Sequence, residues 1–334
     1  MRVTMREIAQ RSGVSVQTVS QILNDKGHLF RSDTRERVLQ TARALRYRPS
    51  ANARAVRSGQ TLCVALLLSE ASFKSMLTRE LLDGICEALS QHDMHLVVAR
   101  FPDEELSPQG EMPRMLREWM SDGLLINYNA EIPDTLRDAV AECGLPAVWI
   151  NSQQKTDCVF PDDLPSAEEA TQYLLELGHQ RIAYVDYQEA GHYSRFARQQ
   201  GYLSVMEQAQ KVPQVFSRHR MPPHFNPSER GWLQDRNRPT AVLCYGPETA
   251  RLVAHEALLE GLQIPDDLSI MTFSAEWHCH FPLGFDSMRL PHLEMGRCAV
   301  EMLFQKMSSP HVCLEPCAVP LVRQTIAGTT QVLR

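Results

Sequence analysis

The run Ser15-Val16-Gln17-Thr18-Val19-Ser20-Gln21-Ile22-Leu23-Asn24 holds the first pattern able to do chemistry. Val19, Ile22 and Leu23 recur at helical spacing and turn inward, which leaves Val16, Gln17 and Gln21 facing out. A helix of that size fits the major groove of B-DNA, where a Gln amide pairs with adenine through two hydrogen bonds and Val meets the thymine methyl. The charge distribution agrees. Residues 1–61 hold twelve Lys and Arg against four acids, a balance of +8, so the rest of a chain with formal net charge −6 stands at −14. A small cationic piece joined to a large anionic one suits a phosphate-binding module carried by a body that does not touch phosphate. Eleven of the twelve cations are Arg, whose fork of donors suits phosphate and guanine edges.

Holding that helix in place requires partners, and the flanking residues supply them. Thr4 followed by Glu7 is a capping box that starts a helix carrying Ile8 and Ala9 inward, and Gly13 provides the positive φ that ends it. Ser15 then caps the next helix after a short turn. A third helix, capped by Ser32, brings Val38, Leu39, Ala42 and Leu45 to the same core and stops near Tyr47-Arg48-Pro49, with Pro49 as the breaker. Residues 1–48 read as a three-helix, helix-turn-helix unit.

The pattern Ala9, Gly13-Val14-Ser15, Thr18-Val19-Ser20, Leu23-Asn24 resembles the LacI/GalR family of bacterial transcriptional regulators, and the match continues through Thr34-Arg35-Glu36-Arg37-Val38, Tyr47-Arg48-Pro49 and Ala53-Arg54-Ala55-Val56-Arg57-Ser58-Gly59. The resemblance implies that residues 49–61 are a hinge and linker, with a short helix over 50–58 that orders on DNA, pairs with its dimer mate and inserts an apolar wedge into the minor groove. A helix of about nine residues is too short to persist alone in water, which fits folding on contact. Val56 stands at the wedge position where the family usually has Leu. The candidate DNA contacts are Thr4, Ser15, Val16, Gln17, Thr18, Ser20, Gln21, Asn24, Arg31, Asn52, Ala53 and Val56.

From residue 62 onward, short β-rich runs alternate with helical patterns. Strands are expected at 63–68, 95–98, 124–126, 147–150, 182–185, 241–244 and 268–273, with a terminal strand near 318–322. Helices are expected at 77–91, 112–120, 133–143, 166–177, 195–209, 248–260 and 293–306. Such alternation means parallel sheets with helices on both faces, and two sets imply two lobes whose facing strand ends enclose a ligand cleft. This body also resembles the family, whose sensor domain is similar to a periplasmic sugar-binding protein; matching stretches include 121–126, 177–183, 198–202, 261–269 and 321–325. The expected fold is a small all-α helix-turn-helix head plus a two-lobed α/β body of periplasmic-binding-protein type with parallel sheets. The family's chain crosses between lobes three times. Crossings near Phe160, Asp286 and Arg323 give an N-lobe of about 62–159 and 287–322 and a C-lobe of about 160–286 and 323–334.

The resemblance places ligand contacts at Phe73, Asn151, Asp162, Ser194, Arg198, Phe225 and Ser274, with Arg198 as the clamp on ligand oxygens. Two family anchors are replaced, an Asn-Asp pair by Gly246-Pro247 and an aspartate by Ser274-Ala275. A buried Arg needs a counter-charge. Glu248, Glu276 or Asp162 is the expected partner, or else the ligand itself is anionic, a phosphorylated or carboxylated sugar.

Catalytic and metal motifs are missing: no P-loop, no G-x-G-x-x-G, no G-x-S-x-G elbow, no H-E-x-x-H and no C-x-x-C, while His278-Cys279-His280 reads as a surface cluster. The expectation is a non-enzyme without cofactor or metal: a homodimeric regulator, a repressor of carbohydrate use, that binds a pseudo-palindromic operator under control of a small sugar, sugar phosphate or sugar acid. The competing readings are a sugar-binding transport or sensor protein and a sugar-converting enzyme. The chain shows no apolar run long enough for a membrane span and no signal-peptide pattern at its start, so a cytoplasmic location is expected. Nine cysteines without a paired pattern are expected to be reduced.

Overall fold

The computed structural model describes residues 3–48, 59–71, 74–101, 121–187, 191–217, 231–275, 284–325 and 328–333. The chain forms two compact units, Met1–Thr61 and Leu62–Arg334. In the first, α1 (Met5–Ser12), α2 (Val16–Gln21) and α3 (Ser32–Ala44) enclose a core of Ile8, Ala9, Val19, Ile22, Val38 and Ala42. The Thr4 hydroxyl accepts from the Glu7 amide at 3.4 Å while the Glu7 carboxylate accepts from the Thr4 amide at 2.7 Å, so both ends of the capping box are closed. Gly13 takes φ 67° and releases the chain from α1.

The third helix departs from expectation at both ends. Its N-cap is Arg31, with no side-chain cap, and Ser32 is the first helical residue. Its stop is not Pro49, because Arg46 already adopts φ 52° and the Tyr47 amide returns to the Ala42 carbonyl at 2.9 Å, closing the helix end earlier. The hinge segment, residues 49–58, lies outside the described residues, as does the helix expected at 112–120.

The second unit holds two six-stranded sheets. The first comprises β1 (Cys63–Ser69), β2 (His95–Phe101), β3 (Gly123–Ile126), β4 (Ala147–Ile150), β5 (Cys158–Pro161) and β11 (Cys317–Val319), in the order β11-β5-β4-β3-β1-β2 and parallel throughout. Helices α4 (Arg79–Ser90) and α9 (His292–Ser308) cover one face, and α5 (Asp134–Glu142) covers the other. The second sheet comprises β6 (Ile182–Asp186), β7 (Gln214–Ser217), β8 (Ala241–Cys244), β9 (Ser269–Ser274), β10 (Asp286–Arg289) and β12 (Val322–Gln324), in the order β12-β10-β9-β8-β6-β7. Only the β10–β12 pair is antiparallel. Here α6 (Asp163–Glu176) and α7 (Tyr193–Gln208) cover one face and α8 (Pro247–Leu259) the other. Strands enclosed on both faces must be apolar along their length, and β1 is buried from Val64 to Ser69.

Strands β5, β7 and β10 were not foreseen, and the expected terminal strand divides into β11 in one sheet and β12 in the other. The crossings shift accordingly. The first is Asp162 alone, between β5 and α6; the second is Leu290-Pro291, between β10 and α9; the third is Pro320-Leu321, between β11 and β12. Asp286, expected to lie near the second crossing, instead opens β10, and its carboxylate holds the C-terminal tail through the amides of Gly328 and Thr330. The Asp162 amide donates to the Val319 carbonyl at 2.8 Å, so the first and third crossings lie side by side.

Helices α4 and α9 meet through glycines. A Cβ on Gly296 would lie 2.6 Å from the Leu81 carbonyl oxygen and 2.7 Å from the Ile85 nitrogen. Gly296→Ala is expected to destabilise the body by about 1–3 kcal/mol through this backbone clash, read as a lower urea midpoint. An unchanged midpoint would contradict the close packing. The eight described cysteines are free thiols, and among the described residues no helix is long and apolar enough to cross a membrane.

Candidate functional site

The head exposes the first turn of its second helix. Ser15 caps α2, accepting from the Thr18 amide at 3.0 Å, and its hydroxyl pairs with that of Thr18 at 2.9 Å, so both side chains are engaged in starting the helix. Val16 is 44% exposed, Gln17 is exposed and Gln21 is half-buried. The chain beyond Gln21 does not continue as the expected α-helix. A π-helical turn spans Ile22–Lys26 and a 3-10 turn Gly27–Leu29, widening the helix end where Ile22 enters the core. Asn24 donates its amide to the Ser20 carbonyl at 2.5 Å. Thr4 caps α1, and Arg31 is exposed ahead of α3. Asn52, Ala53 and Val56 lie outside the described residues.

In the body, residues at the carboxyl ends of β4, β8 and β9 meet the first turns of α7 at the lobe boundary. Arg198, on α7, is 5% exposed. Its Nε donates to Asp163 Oδ1 at 2.7 Å and its Nη1 to the Tyr245 carbonyl at 2.7 Å, and its guanidinium lies 4.8 Å from the Tyr245 ring centre and 4.3 Å from that of Phe273. Burial alone would lower the Arg198 pKa, but Asp163 beside it raises it above the usual value. The counter-charge is therefore Asp163, on the first turn of α6. Asp162 stands half-buried at the crossing with a pKa raised by burial and then by Asp163, and Glu248 pairs with exposed Arg251 instead. Glu276 lies outside the described residues. With Arg198 neutralised inside the protein, the reason for expecting an anionic ligand disappears.

Ser194 is buried next to Arg198, its hydroxyl bonded to the Tyr245 hydroxyl at 2.9 Å and to His192 Nδ1 at 2.6 Å. Asn151 contributes its backbone: it takes φ 55° at the end of β4, and its carbonyl accepts from His192 Nε2 at 3.0 Å. Ser274 is buried at the end of β9. Phe73, Phe225 and the His278-Cys279-His280 cluster lie outside the described residues. Asp163, Tyr245, His192, Tyr193 and His292 were not singled out from sequence, nor were Asn127 and Asn129, which follow β3. The sequence signal for Asp163 is a pair of consecutive acids straight after a buried strand, of which the family resemblance marks only Asp162.

His292, at the start of α9, bonds through Nδ1 to the Thr78 hydroxyl at 2.9 Å, within electrostatic reach of Arg198 and His192. Burial first, and then those two groups, push its pKa down to about 4. The unfolded chain therefore binds this proton more readily than the folded one. Stability attributable to His292 is complete above pH 6.5 and is lost as pH falls from there toward 4, by up to about 3 kcal/mol. Urea midpoints across that range should fall for the wild type and fall less steeply for His292→Asn; parallel curves would rule the group out.

Comparison with known proteins follows this division of the chain. Residues 4–50 match the family described as bacterial regulatory proteins, lacI family, and residues 171–326 match the periplasmic binding protein-like domain. The HTH-type transcriptional regulator DegA of Bacillus subtilis is 27% identical over 283 residues, 82% of each chain. The HTH-type transcriptional repressor PurR of Vibrio parahaemolyticus is 25% identical over 313 residues, 90% of each. The lac repressor dimer bound to operator and the anti-inducer ONPF shares the fold, with a TM-score of 0.78 at 19% identity, covering 99% of this chain and 100% of that one. The cellobiose complex of the transcriptional regulator CelR gives 0.63 at 21% identity, covering 98% and 100%. Head and body thus match in the same order along one chain, with relatives aligned across both, and the protein belongs to the LacI family of bacterial regulatory proteins.

Proposed function

We propose that this regulator binds a pseudo-palindromic operator as a homodimer, reading bases through Val16, Gln17 and Gln21, and that a small polyhydroxylated, sugar-like effector in the interlobe cleft sets its affinity. The carrying observation is that one chain joins an arginine-rich three-helix head, with Val16 and Gln17 exposed at the start of its second helix, to a two-lobed body whose strand ends converge on buried polar groups. One such head covers too few base pairs for a unique address, so two are needed. Two buried acceptors, Asn127 Oδ1 and Asn129 Oδ1, receive no hydrogen bond among the described residues. Ligand hydroxyls would supply the missing donors, whereas an anionic group would set acceptor against acceptor. The effector acts by favouring one lobe arrangement over another, which couples its binding to that of DNA. Repression of carbohydrate-use genes and a cytoplasmic location accord with this reading.

The test is fluorescence anisotropy on inverted-repeat promoter fragments over a range of salt, with and without neutral sugars and their phosphates. Binding should weaken steeply with salt, scale with a dimer and respond to neutral sugars. Salt-insensitive binding, a strict monomer, or a response confined to the phosphates would overturn the corresponding part of the proposal.

A further inference from the structure

Two consecutive residues, His192 and Tyr193, make a set of contacts across the lobe boundary. Both precede or open α7 and so belong to the second lobe, yet their partners lie in the first. His192 forms an isolated antiparallel bridge with Ala130, and its Nε2 donates to the Asn151 carbonyl. The Tyr193 hydroxyl donates to the Pro161 carbonyl at 3.3 Å, and its ring meets Phe160 edge-on with centroids 5.8 Å apart. Tyr193 also packs with the first lobe's core around Tyr128 and Trp149.

The hydrogen bonds around His192 are mutually consistent in one protonation state. The Ser194 amide donates to Nδ1 at 3.3 Å, which makes Nδ1 the acceptor and leaves the proton on Nε2, facing Asn151. The Ser194 hydroxyl then donates to Nδ1 and accepts from Tyr245, whose carbonyl holds Arg198. Contacts across the lobes are in this way tied to the buried arginine. Burial lowers the His192 pKa and keeps the ring neutral, as this arrangement requires. On the far side, Asn151 adopts a left-handed backbone that few residues other than Gly, Asn and Asp take readily, and that turn directs its carbonyl at His192.

We propose that His192 and Tyr193 are positioning residues that clasp the two lobes to each other, so that the angle between the lobes is set by the protein's own side chains. This rests on the reading of the cleft as the regulatory site. A ligand entering between the ends of β3, β4 and α7 meets this clasp, and its effect on DNA binding passes through it.

The experiment uses the full-length dimer without added ligand. Hydrogen exchange is followed at the amides around Ala130 and Asn151, and operator Kd is measured in parallel. In His192→Ala and Tyr193→Ala, exchange at those amides should rise at least tenfold and operator Kd should shift at least fivefold in either direction, with the head's helices unchanged by circular dichroism. His192→Gln, which keeps a donor toward Asn151, should recover most of both. Tyr193→Phe, which retains the ring against Phe160, guards against a variant that fails to fold and should open less than Tyr193→Ala. Exchange and Kd within twofold of wild type in both alanine variants would overturn the clasp. If the wild-type protein bound no operator, the exchange measurement would still decide the clasp, separately from the proposed function.

Discussion

Asp163→Ala unfolds at a much lower urea concentration than the wild type, with a loss of about 3–5 kcal/mol. The Arg198–Asp163 pair is closed to solvent, at 6% and 0% side-chain exposure, and removal of either member strands the other as a buried unpaired charge. Arg198→Ala should lose a similar amount. The decisive variant is the double replacement Asp163→Leu with Arg198→Met, which removes both charges while keeping most of the volume. It should regain the greater part of the lost stability, because the desolvation of both ions is relieved together. The same double variant is expected to bind operator and to show no response to effector, since Arg198 also anchors Tyr245 and stacks between Tyr245 and Phe273. Additive losses in the double variant would mean that the pair is not the unit described.

Gln17→Ala is expected to cost about 1–3 kcal/mol of operator affinity per half-site, roughly a five- to 150-fold loss at each, as the proposed bidentate contact to a base edge requires. A dimer loses it twice. Binding to random-sequence DNA should change little, since that term comes from cations and phosphates. Neighbouring hydroxyls cannot substitute: Ser15 and Thr18 are committed to the cap and to each other. Equal weakening on operator and random DNA would refute base readout by Gln17.

Local rules explain why the head was legible. A capping box, a positive-φ glycine and a serine cap are each decided within four residues, and the structure reproduces all three. Where the head misled, a second local cap intervened: α3 closes at the left-handed Arg46 through the Tyr47–Ala42 bond before Pro49 can act, and a non-glycine residue gives that cap no sequence signal. In the body, long apolar runs such as β1 were plain, but β5, β7 and β10 are four residues each and exist by pairing with a sheet already present. No pattern of that length announces such pairing. The same holds for the cleft. The position of Arg198 was readable, yet its partner is 35 residues away and is brought there by the packing of α6 on α7, with Gly201 allowing their close approach to Leu164 and Ala167.

The three connections between lobes contain one, two and two residues. From Val319 to Val322 the chain reaches at most about 11 Å even when fully stretched. Hinges this brief keep the halves from drifting apart and leave them to pivot at the crossings, of which the first and third meet at Asp162 and Val319. Whatever message an effector sends must therefore travel as a change of angle, and a molecule too bulky for that arc gains no room by pushing.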